Sequence, residues 1–537
     1  VTDPSPTPRP PAAVSAWAPF RHRAFAAIWA ATVVSNIGTW MYNVASGWLM
    51  TSLNPDPFVV SMVQVANSLP MFLLAIPAGA LVDIVDQRRF LIFGESAITL
   101  TSAAFAALVF LHLITPARLL SLTLIATVGS AFTYPAWQTV VARLVPKPEL
   151  GAAVAANSVG INVSRAAGPA LGGVLIGALG IAAPFWLDAL SNIGVIAALI
   201  WWRPPREQGA RLPPESFGSA LRTGLRHARY NTHLRATLIR ALGFFLFGSA
   251  YWALLPLVAR TQVAGGPALY GVLLGAIGAA AVGGALLLRK IRAKLGADRL
   301  LAAASLASAL ATALFALAHD AVTAIAASLV AGASWIAAVS TLNVSAQVSL
   351  PEWVRGRGLA MYVTAMFGSL TLGSALWGEL GGIAGLPAAL GLAAAGAALA
   401  IPMTWRWKLQ TGANVDFSAS MHWPEPVWTH DIEPDRGPVL VTIEYRIDPR
   451  DREPFLRALG RYARERYRDG AYDWGIFEDP AEQGRFIETF MTDSWLDHLR
   501  QHRRVTQADR QLEAGVRRYQ IGGEPKTTHL IGVHARG

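Results

Sequence analysis

Arg165 is the residue whose chemistry most needs explaining, because it lies within the otherwise apolar stretch 151–179. A guanidinium near mid-bilayer costs about 2.5–3.5 kcal/mol on insertion scales unless it meets water or a partner, so it is expected to face a polar cavity. Asn157 and Asn162 share its segment; Asn36, Trp40 and Asn43 on one segment and Tyr134, Trp137 and Gln138 on another offer an opposite wall. For any single amide, bonding between helices is the plainer role. The expected substrate cavity is therefore Asn36, Trp40, Asn43, Gln138, Asn157, Asn162 and Arg165. Three carboxylates, Glu95, Asp188 and Glu379, also fall in apolar stretches, each nearer an end than the middle, and a proton-carrying role is open to all three. Near the C-terminus, His498 and His502 stand four apart beside Trp495, a spacing that sets two imidazoles on one helix face. Two ligands do not make a metal site, and His529 and His534 lie on another segment, so packing is the expected role and no metal is expected.

The elements that must position these groups are membrane spans. Of 537 residues, 53% are hydrophobic and only 15% charged, too apolar for a soluble chain of this length. A net charge of +11 is first explained by basic residues held on one side of a membrane, so no nucleic-acid partner is inferred. With no cysteine, disulfides and thiolate chemistry are excluded. Neither a nucleotide motif nor a cofactor fingerprint is present, so neither an ATP-driven pump nor an enzyme is expected, and no cofactor.

Residues 1–19 form a proline-rich tail expected to be disordered, and the polar residues of the following segment mark a retained span instead of a cleaved leader. Apolar segments able to cross about 30 Å of hydrocarbon lie near 24–51, 59–82, 90–113, 118–142, 151–179 and 184–202, then near 238–260, 268–288, 299–318, 321–349, 358–382 and 385–405. Basic residues gather on alternate loops of one face, among them Arg88, Arg89, Arg143, Arg289, Lys290, Arg292, Lys294, Arg355 and Arg357; the other face has only Arg118 and Arg260. The rich face is expected to be cytoplasmic, with both termini there.

The chain also repeats itself. Gly79-Ala-Leu returns at Gly284, and Gly168-Pro-Ala-Leu-Gly-Gly173 returns as Gly373-Ser-Ala-Leu-Trp-Gly378, so one unit of about two hundred residues is written twice. The expected fold is an all-α membrane protein of twelve transmembrane helices in two six-helix pseudo-symmetric halves, 20–202 and 238–408, joined by a cytoplasmic connector at 203–237. A linker at 409–436 precedes a cytoplasmic domain at 437–537. Its strand near 439–445, helix 453–467, strands 474–478 and 486–490, helices 494–502 and 506–516, and strand 528–532 give a ferredoxin-like α+β domain.

Ser35-Asn-Ile-Gly-Thr-Trp-Met41, Pro77-Ala-Gly79 with Asp83, Asn157-Ser158 with Asn162 and Arg165, Gly168–Gly173 and Arg355-Gly-Arg-Gly-Leu359 resemble the major facilitator superfamily, in its enterobactin-exporter-like, transmembrane secretion effector branch. Glu444–Asp448 and Trp495–Arg503 extend the resemblance into the terminal domain, which is similar to the dimeric α/β-barrel monooxygenase-like family. The resemblance implies a conformational latch at Gly79, Asp83, Arg88 and Arg89, closing the cytoplasmic side when the transporter faces outward. In the second half Leu288 stands at the aspartate position, so one strong latch is expected. It also implies an antiporter motif at Gly168, Pro169, Gly172 and Gly173, although Ala155 and Ser164 replace its two upstream glycines and the superfamily's fourth-span arginine is missing. A packing groove with no bearing on direction is the alternative for that motif.

The function so implied is secondary active export of a small to medium organic compound, siderophore- or drug-like, by proton antiport across the bacterial inner membrane. Its partners would be that substrate, membrane lipid and a coupling proton, with a homodimer through the terminal domain. An importer of the same fold and a membrane-tethered monooxygenase are the alternatives.

Overall fold

The computed structural model describes residues 15–82, 85–203, 226, 229–411, 420, 423, 433 and 436–533. Six long helices form the first half: α1 (Arg23–Leu53), α2 (Pro57–Val82), α3 (Gln87–Phe110), α4 (Pro116–Arg143), α5 (Leu150–Leu179) and α6 (Ala183–Trp201). The second half has α7 (Thr232–Leu257), α8 (Pro267–Leu317), α9 (Ala321–Val348), α10 (Arg355–Ala384) and α11 (Leu386–Thr404). All eleven are long and apolar enough to cross a membrane, which makes this a multi-pass membrane protein.

Their ends are written locally. The Asp86 carboxylate accepts from Arg89 N at 2.9 Å to cap α3, Asn231 accepts from His233 N and Leu234 N to cap α7, and Asp320 caps α9. Gly180 (φ 86°) and Gly385 (φ 85°), at the same spacing as Gly168 and Gly373, take a positive φ that glycine adopts without steric cost, where α5 and α10 end.

One helix departs from the expected spans. At 51 residues α8 would be about 77 Å long if straight, more than twice the hydrocarbon thickness. Gly296, at φ 72° and ψ 172°, breaks it. The chain doubles back there: Gln262 Nε2, just before the first turn of α8, donates to Ala316 O in its last turn at 3.2 Å. The stretch Arg289–Lys294, expected as a loop, is instead the helical end of the first arm, and the reversal is confined to one glycine.

The terminal domain comprises β1 (Val439–Arg446), α12 (Arg452–Arg468), β2 (Tyr472–Glu478), β3 (Arg485–Thr492), α13 (Trp495–Arg504), α14 (Gln507–Arg517) and β4 (Lys526–Ile531). Its antiparallel sheet has the order β2-β3-β1-β4. Val439, Val441, Ile443 and Tyr445 alternate into a core with Phe455, Leu459, Phe486 and Phe490, so one sheet face is covered by helices. The domain rests on the arginine-rich end of the second half, where Tyr230 stacks on Tyr467 at 5.2 Å, Arg226 Nη1 donates to Gly470 O at 2.9 Å, and the Arg504 guanidinium lies 4.4 Å from the Trp353 ring. An aromatic pair of this kind contributes about 0.5–1.5 kcal/mol. In Tyr230→Ala, amide exchange around residues 467–471 should therefore rise by up to about tenfold while β1 and β3 keep their protection; equal exchange in both proteins would show that the domain is not held by this contact.

Candidate functional site

The two halves meet along two helix pairs, and small residues decide how closely. On α5, a Cβ at Gly173 would sit 2.8 Å from Pro267 O and 2.9 Å from Gly271 Cα, and one at Gly271 would meet Pro169 O at 2.7 Å. Farther along α8, Gly278 lies against Arg165 O and Ala166. On the other seam Gly378 of α10 packs on Ser61 of α2, Ser68 Oγ and Thr371 Oγ1 are 2.8 Å apart, and Gly368 lies against Phe72. Backbones can approach this far only where side chains are absent.

Both seams reach the end opposite the basic loops. There Arg260, which follows α7, reaches across to α1: its Nη1 donates to Thr51 Oγ1 at 3.0 Å and Ser52 Oγ at 2.5 Å, and its guanidinium lies 5.4 Å from the Trp48 ring, itself stacked on Tyr270. At the arginine-rich ends of the same helices, Gly79, Gly151, Gly283 and Gly356 face open space. Among the described glycines, the close backbone approaches between the halves thus lie toward the Arg260 end and in the middle of these helices, and none lies at those four positions. Sequence reading counted Arg260 only as a stray charge on the sparse face; its distance of more than two hundred residues from Thr51 hid the pairing.

Arg165 lies on α5 with its guanidinium 5.7 Å from the Trp40 ring of α1, and its Nε is buried without a hydrogen-bond partner. The two helices are brought together by Gly160 against Val33 and Trp29, Ser164 Oγ donating to Val33 O, and Gly168 against Trp40 Cβ. Asn36, Trp40 and Asn43 share one stripe of α1, all half-buried. Asn157 and Asn162 are half-buried on α5, with Asn162 Nδ2 donating to Ser158 O of its own helix, while Gln138 on α4 is exposed. Of the expected cavity residues, a direct contact joins Trp40 and Arg165.

Within the expected latch, Asp83 lies outside the described residues. Arg88 donates from Nε to Leu199 O at 2.8 Å and from Nη2 to Ile200 O at 2.6 Å, capping the last carbonyls of α6 in its own half, and Arg89 is exposed. Gly168, Pro169, Gly172 and Gly173 are all buried, with Gly168 and Gly172 against α1 and Gly173 against α8. The repeat copies this: Gly373 packs on Leu246 and Ser249 of α7, the first helix of its own half, and Gly378 packs on α2 of the other half.

A family model described as transmembrane secretion effector matches residues 14–536. The chain belongs to that family. Among curated relatives, the staphyloferrin A transporter of Staphylococcus aureus is 23% identical over 44% of this chain and 59% of its own length. The multidrug efflux pump Tap of Mycolicibacterium fortuitum is 28% identical over 39% of this chain and 53% of its own. The chain thus spans roughly half the length of the curated relatives it matches. In fold it is similar to an auto-inhibited POT family peptide transporter (TM-score 0.59, 13% identity, covering 72% of this chain and 96% of that one). It is likewise similar to a bacterial homologue of the iron transporter ferroportin (TM-score 0.56, 13% identity, 72% and 98%). The family and these relatives are major facilitator transporters, not enzymes.

In this secretion effector the three intramembrane carboxylates part company. Glu379 is exposed near the end of α10. Asp188 on α6 is 3% exposed and accepts from Ser102 Oγ of α3 at 2.7 Å and Thr39 Oγ1 of α1 at 3.2 Å. Glu95, also buried, accepts from Trp137 Nε1 at 2.8 Å. Seven residues along α3 separate Glu95 from Ser102, about 10 Å at 1.5 Å per residue, so the two carboxylates follow one column through the first half. Among the described residues no cation pairs with either; their partners are hydroxyls and an indole, groups that can serve a carboxyl in either protonation state. Sequence reading had all three on equal terms; the difference between them is which neighbours α1, α3 and α4 bring.

Proposed function

We propose that this secretion effector is a secondary active exporter of a small to medium organic compound, siderophore- or drug-like, working by proton antiport and alternating access in the bacterial inner membrane. The observation that supports this reading is the close seam between the halves, pinned at one end by Arg260, with Arg165 and the buried Asp188–Glu95 column inside the first half. Counting the two arms of α8 separately gives twelve crossings, six per half, with both termini on the arginine-rich side, which the positive-inside rule makes cytoplasmic. The state described is then inward-facing, and the latch of Gly79, Asp83, Arg88 and Arg89 engages only when the halves rock to close that side. Asn36, Trp40, Asn43, Gln138, Asn157, Asn162 and Arg165 form the substrate-facing wall in this reading, and Gly168–Gly173 is the hinge surface. The similarity to a staphyloferrin A transporter, a multidrug efflux pump and a macrolide efflux protein supports export of such cargo. The terminal domain, ferredoxin-like in this reading, is a regulatory or dimerising accessory without catalysis of its own.

Everted vesicles energised by respiration should accumulate cargo, drawn from the metabolites missing from the medium of a deletion strain. Accumulation should collapse with a protonophore while ATP is held constant. Persistent uptake under those conditions would rule out proton coupling, and accumulation by right-side-out vesicles instead would make the protein an importer.

A further inference from the structure

The terminal domain gathers three histidines that the sequence keeps apart. His498 and His502 lie one turn apart on α13, with their Nε2 atoms 3.2 Å from each other. His529 comes from β4, where it is opposite Val441 of β1, and its ring centroid is 4.7 Å from that of His498 and 6.4 Å from that of His502. One ring nitrogen from each lies within 4.8 Å of the others. The expectation that no third ligand was at hand rested on His529 belonging to another segment; the antiparallel pairing of β4 with β1 beneath α13 returns it to the pair.

We propose that His498, His502 and His529 bind a divalent transition-metal cation of the Zn2+ class in three-histidine coordination, leaving a fourth position open to water or an exogenous ligand. The spacing supports this. With Zn–N bonds of 2.0–2.1 Å, tetrahedral geometry separates ligand nitrogens by about 3.3 Å, close to the 3.2 Å already held between His498 and His502. All-imidazole donors suit Zn2+, Cu2+ or Ni2+, and not the hard cations that take oxygen. The Arg466 guanidinium is among the charged neighbours of His498. Arg466 would oppose a cation, but it is a buried ion pair with Glu488 at 3.3 Å.

A second observation concerns the groups behind the ligands. His498 Nδ1 and both amide atoms of the fully buried Gln501 lack a well-formed hydrogen bond, although Gln501 stands beside His498. A cation on His498 Nε2 fixes the proton on Nδ1 and gives Gln501 a donor to accept from, the outer-shell arrangement that metal-bound histidines ordinarily have. If the three rings merely packed, one His498–His502 hydrogen bond would suffice and Gln501 would have no reason to be polar.

The test uses the full chain, purified in detergent and stripped with a chelator. Titration with Zn2+ should show one equivalent bound per chain, and Co2+ should give the intense visible bands of four-coordinate geometry. His529→Gln and His502→Gln, each checked for a monodisperse folded protein, should weaken Zn2+ binding by about 100-fold or more, at or beyond the range seen when only an outer-shell partner is lost. The His112→Gln/His319→Gln double variant, whose exposed imidazoles lie outside the cluster, should bind as the parent does. A parent chain that takes up well under one equivalent overturns the proposal, and so does a folded H529Q or H502Q chain with parental affinity. These outcomes do not depend on whether, or in which direction, the chain transports.

Discussion

Asp188→Asn should remove uphill export while the folded protein stays in the membrane. Asn has almost the same shape as Asp and keeps an oxygen to accept from Ser102 Oγ or Thr39 Oγ1, and either hydroxyl can rotate to accept from the new amide. The structural cost is that of re-forming hydrogen bonds, about 0.5–1.5 kcal/mol. What the amide cannot do is take up and release a proton, and an ionisable group buried in the membrane with only neutral partners is a natural carrier. Proton-driven accumulation in everted vesicles should fall at least about tenfold, equivalent to about 1.4 kcal/mol, while exchange of labelled for unlabelled cargo, which needs no net proton movement, continues. Loss of both activities would show a binding or folding defect, and undiminished accumulation would take Asp188 out of the coupling.

Gly173→Leu should trap the opposite conformation. At this position the atoms a new side chain meets are backbone, Pro267 O at 2.8 Å and Gly271 Cα at 2.9 Å, and backbone cannot rotate aside. Overpacking costs about 1–3 kcal/mol, and the cost falls only on the state in which α5 and α8 close at the Arg260 end. Such a difference shifts a two-state population about 5- to 150-fold. Because the chain has no cysteine, a single Ser61→Cys placed against Gly378 in the companion seam reports opening without background. Its alkylation by an impermeant reagent should speed up by that factor in Gly173→Leu. Gly177→Leu, on the same helix but facing open space, should leave the rate unchanged. Equal labelling in the parent and in Gly173→Leu would mean that this contact does not govern closure.

The terminal domain was read nearly element for element, because alternation in Val439–Tyr445 and the helical period of the 453–467 stretch are local signals that its packing reinforces. The apolar spans were legible for a similar reason: hydrocarbon requires every backbone group to be satisfied within its own helix, so length and hydropathy alone locate one. The basic run before Gly296 predicts a loop, since basic residues usually mark one; in the structure Arg289, Lys290, Arg292 and Lys294 extend the helix beyond the apolar stretch.

What the sequence determined by itself, then, is the apolar segments, the internal repeat, the clustering of basic residues between alternate segments and the presence of Arg165 and the carboxylates among apolar residues, since each is a property of composition or spacing along the chain. The tertiary structure decided the rest: that Asp188 meets Ser102 and Thr39 while Glu379 stays exposed, that Arg260 locks onto Thr51 and Ser52, that small residues bring the halves together along two seams, and that His529 joins His498 and His502. These are contacts between residues up to two hundred and more positions apart, chosen by which helix faces and strand registers can pack closely, and no local pattern in the chain encodes that choice.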